Sequence, residues 1–246
     1  MRVVAVIQAR MGSTRLPGKV LAAIGATTML GQVVRRLRGA RGVDEIVIAT
    51  STGGDDDAVV CEAGRLGAAV HRGPAADVLE RFAGAARAYR AEAIVRVTAD
   101  CPLLDPGVVE QVIGLLTAEV DYASNTHVRR FPRGLDVEVL HADTLARIAR
   151  LGTSPAAREH VTAFVMEQPA LFRIAQLGAE HDDSDLRWTV DTPDDLALVR
   201  ALYAELSLDA APRPYREVVA AVRARPELAA QNAHVVQKDW QEPHVA

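Results

Sequence analysis

Arg10, Arg15 and Lys19 fall within "IQARMGSTRLPGK", residues 7–19, directly after an apolar run that reads as a buried strand. Three cations on one short loop suit a polyanion. Gly12 and Gly18 permit close backbone approach, and Ser13 and Thr14 add hydroxyl donors. A solvated basic turn is the ordinary alternative for such a loop taken alone. A Walker P-loop is excluded by spacing: five residues separate Gly12 from Gly18, and Val20 stands where a magnesium-holding Ser or Thr is required. Lys19 and Lys238 are the only lysines in the chain, so Lys19 is hard to dismiss as one surface lysine among many.

Two aspartates complement the loop. In "RVTADCPLLDP", residues 96–106, Asp105 before Pro106 reads as a helix cap, whereas Asp100 at the end of the strand has no such role. In "LRWTVDTPDDL", residues 186–196, Asp191 again ends a strand, and Thr192 caps a helix begun by Pro193. Mg²⁺ is commonly held by one or two carboxylates plus phosphate oxygens. Two strand-end carboxylates opposite a cationic loop therefore suggest a magnesium ion shared with a nucleoside triphosphate.

A second polar group follows. "SNTHVRRFPRGLDVEV" sets Asn125, His127, Arg129, Arg130 and Arg133 on a loop and puts Asp136 and Glu138 on one strand face. Alternation with Leu135, Val137 and Val139 has a half-exposed sheet edge as its ordinary reading. "REHVT" adds Arg158, Glu159 and His160, and His160 is either a general base or a hydrogen-bonded structural histidine. "VHRGPAADVLERF", residues 70–82, contributes Arg72 and Gly73 at a turn into a helix. The other histidines show no metal-ligand spacing.

The elements that must position these groups alternate. Apolar β-branched runs at 2–9, 44–50 and 92–100 read as strands covered on both faces, with helical patterns at 28–39, 55–66 and 76–90 between them. That order predicts βαβ units around a mainly parallel sheet. After residue 120 the pattern predicts strands at 135–140, 171–177 and 186–190 and helices at 142–150, 155–168, 193–206 and 214–225. The tail "QNAHVVQKDWQEPHVA" is expected to be partly disordered or to pack on a partner. Ligands of open α/β sheets bind beyond the carboxyl ends of the parallel strands, which directs attention to the loops after Ala9, Thr50, Thr98 and Val190.

The 246 residues favour one large α/β domain over two small ones. With 49% hydrophobic and 24% charged residues the chain reads as soluble and globular, and a net charge of -4 argues against a nucleic-acid binder. Cys61 and Cys101 are too few for a disulfide framework, which fits a reducing cytoplasm. The run 3–7 is too short for a signal-peptide core, and no stretch approaches the roughly 20 apolar residues of a membrane span.

"IQARMGSTRLPGKVL", "TADCPLLDP", "DYASNT", "PRGLDVEV", "REHVT" and "WTVDTPDDL", in that order and spacing, resemble the cytidylyltransferases that make CMP-activated sugar acids. These are the acylneuraminate and 3-deoxy-manno-octulosonate enzymes, together with the spore-coat polysaccharide branch typified by SpsF. The likeness covers about residues 2–205. It implies a nucleotide-diphospho-sugar transferase-like α/β fold, a Rossmann-like three-layer α/β/α with a mainly parallel mixed sheet. It further implies CTP as donor, Mg²⁺, an acidic sugar acceptor and a homodimer, with no nucleic acid or membrane partner.

By that likeness Arg10 and Lys19 hold the triphosphate and Asp100 and Asp191 the metal. Gln8, Ala9, Gly12, Ser13, Arg15, Arg72 and Gly73 complete the nucleotide site, and Asn125, Arg130, Asp136, Glu138, Glu159 and His160 meet the acceptor. Residues 1–210 are read as one nucleotidyltransferase domain, with 122–165 as its acceptor and dimerisation region, and 211–246 as a C-terminal helix and polar tail. The expected reaction is attack of an acceptor oxygen on the α-phosphorus of CTP with loss of pyrophosphate. A uridylyl- or guanylyltransferase acting on a sugar phosphate, and a catalytically silent nucleotide-binding protein of the same fold, are the alternatives.

Overall fold

The computed structural model describes residues 1–237. Its centre is β1 (Val3–Gln8), a run in which Val3, Ala5 and Ile7 pack into one apolar cluster and Val4 and Val6 into another. A strand with both faces apolar has to be covered on both sides. It is flanked in parallel by β4 (Glu45–Ser51) and β6 (Ala93–Thr98), and β4 pairs in parallel with β5 (Ala69–Gly73). A small antiparallel pair, β2 (Ala23–Ile24) and β3 (Thr27–Thr28), lies apart from this sheet.

Beyond β6 the sheet reverses. β8 (Glu138–His141) runs antiparallel to β6 and to β7 (Tyr122–Ser124), and β9 (Ile174–Gln176) closes the order β5-β4-β1-β6-β8-β7-β9. Glu138 is therefore interior to the sheet, with Asp136 just before the strand, and the half-exposed edge that alternation alone allowed is excluded. Leu135, Val137 and Val139 are fully buried in the core, so the polar partners of that alternation face a cavity instead of bulk solvent.

One face carries α1 (Met29–Arg38), α2 (Asp57–Leu66), α4 (Pro106–Leu115) and α8 (Pro193–Glu205), extended by α9 (Tyr215–Arg223) and α10 (Pro226–Ala230). The other carries α3 (Val78–Ala88), α5 (Ala142–Leu151), α6 (Pro155–His160) and α7 (Ala163–Glu167). This is a three-layer α/β/α arrangement around a mainly parallel mixed sheet. No helix among the described residues is long and apolar enough to cross a membrane.

Three local expectations change. The helix expected over 155–168 breaks into α6 and α7, because Val161 takes a left-handed φ of 56° that no helix accommodates. The stretch 186–190 is extended but forms no strand beyond one isolated bridge between Arg133 and Arg187. Its backbone is shared between two loops, with Trp188 N donating to Arg133 O and Val190 N to Asp100 O. In the tail, residues 231–237 lie against this chain itself through Asn232, and 238–246 lie outside the described residues.

Candidate active site

The loop after β1 turns back on itself, with Ser13 N and Gly18 N both donating to Met11 O. Gly18 sits at φ 70°, a conformation that costs glycine nothing and places Lys19 at the start of a short 3-10 turn. From there the Lys19 ammonium reaches the carboxyl end of β6. Its Nζ donates to Asp100 Oδ2 at 2.7 Å, Val190 O at 2.8 Å and Asp191 Oδ1 at 2.9 Å. All three donors of the ammonium are thereby used. Burial works against the Lys19 charge, but Asp100 and Asp191 outweigh it and hold its pKa above the usual lysine value.

Each aspartate is fixed independently. Burial opposes ionisation of Asp100, yet Lys19 and the Thr98 hydroxyl, 2.6 Å from Oδ1, hold its carboxyl below the usual range. Burial pushes the neighbouring Cys101 thiol well up, which keeps it a weak donor and no nucleophile. Asp191 Oδ2 meets Arg15 Nη2 at 3.0 Å and Arg187 Nη2 at 2.7 Å. Its main-chain N–H donates to Asp195, a fully buried side chain at the N-terminus of α8, where Thr192 and Asp195 form a reciprocal capping box. Lys19 and Arg15 thus meet Asp100 and Asp191 at the wall of a cavity of about 780 Å³, with Arg187 behind them paired to both Asp191 and Asp195.

Farther into the cavity the antiparallel register sets Arg96 of β6 directly opposite Glu138 of β8. Glu138 accepts from Arg96, from Tyr122 Oη at 2.5 Å and from Thr162 Oγ1 at 2.5 Å. Burial opposes the Arg96 charge, but Glu138 overcomes it, and burial with the Glu138 charge pushes the Tyr122 phenol well up. Arg129 grips Asp136 with two bonds of 2.7 Å, and Arg10 lies 3.5 Å from Glu159. Arg133 lines the same wall, and its guanidinium has no carboxylate partner within ion-pair distance among the described residues. Its neighbour Gly134 has φ 106°, and a Cβ there would stand 2.6 Å from Thr189 N, so only glycine lets this loop pass the 186–190 segment.

Of the expected residues, Gln8, Arg10, Gly12, Ser13, Arg15 and Lys19 line the cavity with Asp100 and Asp191, and Asp136, Glu138, Glu159 and His160 line its far side. Ala9 is buried beneath the loop. Four residues lie elsewhere. Arg72 folds onto Ser51 O, Gly53 O and Asp57. Gly73 packs on Arg81, with room for no Cβ. Asn125 is buried, spending its amide on Leu135 O and Val137 N, and Arg130 is exposed outside the wall. Arg96, Tyr122, Thr162 and Arg187 went unread. An arginine in the middle of the doubly covered strand "EAIVRVTAD" was the signal for Arg96, because such a charge demands a buried carboxylate. Tyr122 and Thr162 carry no local signal.

Asp100 and Asp191 offer hard oxygen donors close enough to share one ammonium, which suits a small divalent cation. Among the described residues no group of three or more acidic, histidine or cysteine side chains could hold a metal ion. An ion held by this pair would complete its shell with phosphate oxygens and water.

The cytidylyltransferase family profile matches residues 4–211. The chain is 36% identical over 206 residues to the spore coat polysaccharide biosynthesis protein SpsF of Bacillus subtilis, covering 80% of this chain and 85% of that protein. It is 35% identical over 240 residues to the 3-deoxy-manno-octulosonate cytidylyltransferase of Anaeromyxobacter dehalogenans, covering 82% and 98%. The solved structure of a cytidylyltransferase from Leptospira borgpetersenii superposes with a TM-score of 0.88 at 31% identity, covering 97% of this chain and 99% of that one. With a cationic loop and two carboxylates meeting at the carboxyl edge of such a sheet, the chain belongs to the cytidylyltransferase family and is a CTP-dependent nucleotidyltransferase.

Proposed function

We propose that this enzyme transfers CMP from CTP to an acidic sugar, with Mg²⁺ as cofactor and release of pyrophosphate, in the biosynthesis of a surface polysaccharide or specialised metabolite. The observation that carries the reading is Lys19 clamped between Asp100 and Asp191 beside Arg15, at the carboxyl edge of β1 and β6. As pyrophosphate leaves, negative charge grows on its oxygens and on the α-phosphoryl group, so preorganised cations are the main requirement. Arg10 and Arg15 meet that charge directly, and Lys19, its three donors on Asp100, Val190 and Asp191, adds its field. Asp100 and Asp191 would hold the ion, which when bound supplies Lewis-acid polarisation of the α-phosphate. Removing one such contact costs about 3 kcal/mol, on the order of 10²-fold in rate.

Gln8 Oε1 is buried in the wall without a hydrogen-bond partner among the described residues, an acceptor suited to the exocyclic amine of cytosine. At the far end Arg96, Arg129 and Arg10 are already matched by Glu138, Asp136 and Glu159, which among the described residues leaves Arg133 as a cation available to an acceptor carboxylate. The names of the relatives favour a sugar acceptor, the two cysteines fit a reducing cytoplasm, and the resemblance extends to a homodimer, which light scattering tests. Pyrophosphate release with each of four NTPs, a panel of acidic sugars and sugar phosphates, and Mg²⁺ or chelator tests the reaction. Release with CTP, Mg²⁺ and an acidic sugar alone supports it. Release only with UTP or GTP on a sugar phosphate overturns it, as does CTP binding without turnover on any acceptor.

A further inference from the structure

The family match ends at residue 211, yet a later segment reaches the same cavity: Gln237 forms part of its wall. Between them α9 and α10 bring the chain back across α8 to Arg187. Every nitrogen of the Arg187 guanidinium is assigned. Nε donates to Asp195 Oδ1 at 2.9 Å, Nη2 to Asp191 Oδ2 at 2.7 Å, and Nη1 to Gln237 Oε1 at 2.6 Å. Asn232, 2% exposed, holds the same pair from behind, its Nδ2 donating to Arg187 O at 3.0 Å and to Asp195 Oδ1 at 2.8 Å. Asp195 in turn accepts from the main-chain N–H of Asp191 at 2.9 Å.

We propose that the strap 226–237 positions Asp191, with Asn232 and Gln237 fixing Arg187 and Asp195, which orient the Asp191 carboxylate and backbone toward Lys19. The ion and phosphate end of the cavity is then completed by a segment outside the matched family region. The inference rests on the reading above that Asp191 serves that end of the site. A carboxylate has two free torsions, and Lys19 alone does not define its plane. Arg187 on one oxygen and Lys19 on the other do, and Arg187 is itself held only if its third nitrogen and its carbonyl are held.

Asn232 also satisfies a buried carboxylate, so its loss affects folding as well as position. Gln237 is exposed whereas Asn232 is buried, so its replacement is expected to disturb folding less. Gln237→Met keeps the length and removes the acceptor, whereas Gln237→Glu keeps an acceptor oxygen for Arg187. Titration of Mn²⁺ into the enzyme with saturating CTP should show about 10-fold weaker binding in Gln237→Met and Asn232→Ala, the range for residues that orient a metal ligand, and near-normal binding in Gln237→Glu. Amide hydrogen exchange over 187–195, read without any ligand, should quicken in Gln237→Met at an unchanged melting temperature.

Unchanged exchange in that peptide, or weakened CTP binding without it, overturns the strap's role, the latter because Gln237 would then act by touching the nucleotide. Should Asn232→Ala fail to fold, Gln237→Met decides. A wild-type protein that binds neither CTP nor Mn²⁺ instead overturns the functional reading, and the exchange measurement still judges the strap.

Discussion

Replacing Lys19 by methionine keeps most of the stem and removes the ammonium that joins Asp100 to Asp191. The Lys19 side chain is 11% exposed and its two partners 23% and 17%, so the three charges are mostly shielded from water. Asp191 would retain Arg15 and Arg187, whereas Asp100 would keep, among the described residues, only the Thr98 hydroxyl and the Cys101 thiol. Removing one partner of a fully buried pair costs about 3–5 kcal/mol. Partial exposure here brings the expected loss to about 2–3 kcal/mol, or a fall in melting temperature of about 4–12 °C for a chain of this size.

The pH dependence of that loss follows from the two shifted groups. Asp100 is held below its ordinary 3.8, so its contribution is complete above 3.8 and disappears as pH falls through the lower folded value. Lys19 is held above 10.5, so its contribution is complete below 10.5 and disappears as pH rises through the higher folded value. The deficit of the variant is therefore full between 3.8 and 10.5 and shrinks on the acid side. Scanning calorimetry of both proteins at neutral pH and below 3.8 measures it, and Mn²⁺ should restore part of the lost stability by taking the place of the ammonium. Equal melting temperatures at neutral pH, or a deficit that does not shrink in acid, would refute the reasoning.

Glu138→Gln leaves Arg96 as a buried charge facing a neutral amide, and denaturant unfolding should show a loss of about 3 kcal/mol or more. Gly134→Ala forces a side chain against Thr189 N and Trp188, at a cost on the order of 1–3 kcal/mol. Because the displaced segment leads into Asp191, CTP affinity should fall with it. Asp121, bonded by Arg173 and close to Arg147, has its carboxyl lowered from 3.8 to about 2. Its stabilising contribution is present above 3.8 and is lost as pH falls toward 2, so Asp121→Asn should flatten the acid limb of a melting profile between those values.

The parallel half of the sheet was legible because β1, β4 and β6 are mainly apolar β-branched runs, with Arg96 the one charge in their interiors, each found within two residues of its expected bounds. The phosphate-loop cations and the two aspartates were legible as residue types out of place in a buried context. Their meeting has a different cause from the one expected. Asp191 does not end a strand; it is brought to Asp100 by an extended segment whose Val190 N–H bonds the Asp100 carbonyl. The antiparallel half was harder, because pairing Arg96 with Glu138 joins segments far apart in the chain and no local period reports it. Arg72 and Asn125 show the converse limit: polar residues in a promising loop whose side chains are consumed by nearby backbone and acid groups. The break between α6 and α7 rests on one positive φ at a β-branched residue, which propensity argues against.

The central claim is that Lys19, Asp100 and Asp191 form one nucleotide and ion site, and calorimetric titration of CTP with and without Mg²⁺ tests it most directly. The account predicts saturable binding that strengthens with Mg²⁺, exceeds that of UTP and GTP, and loses its Mg²⁺ dependence in Asp100→Asn and Asp191→Asn. Mg²⁺-dependent CTP binding of undiminished strength in both variants would contradict it.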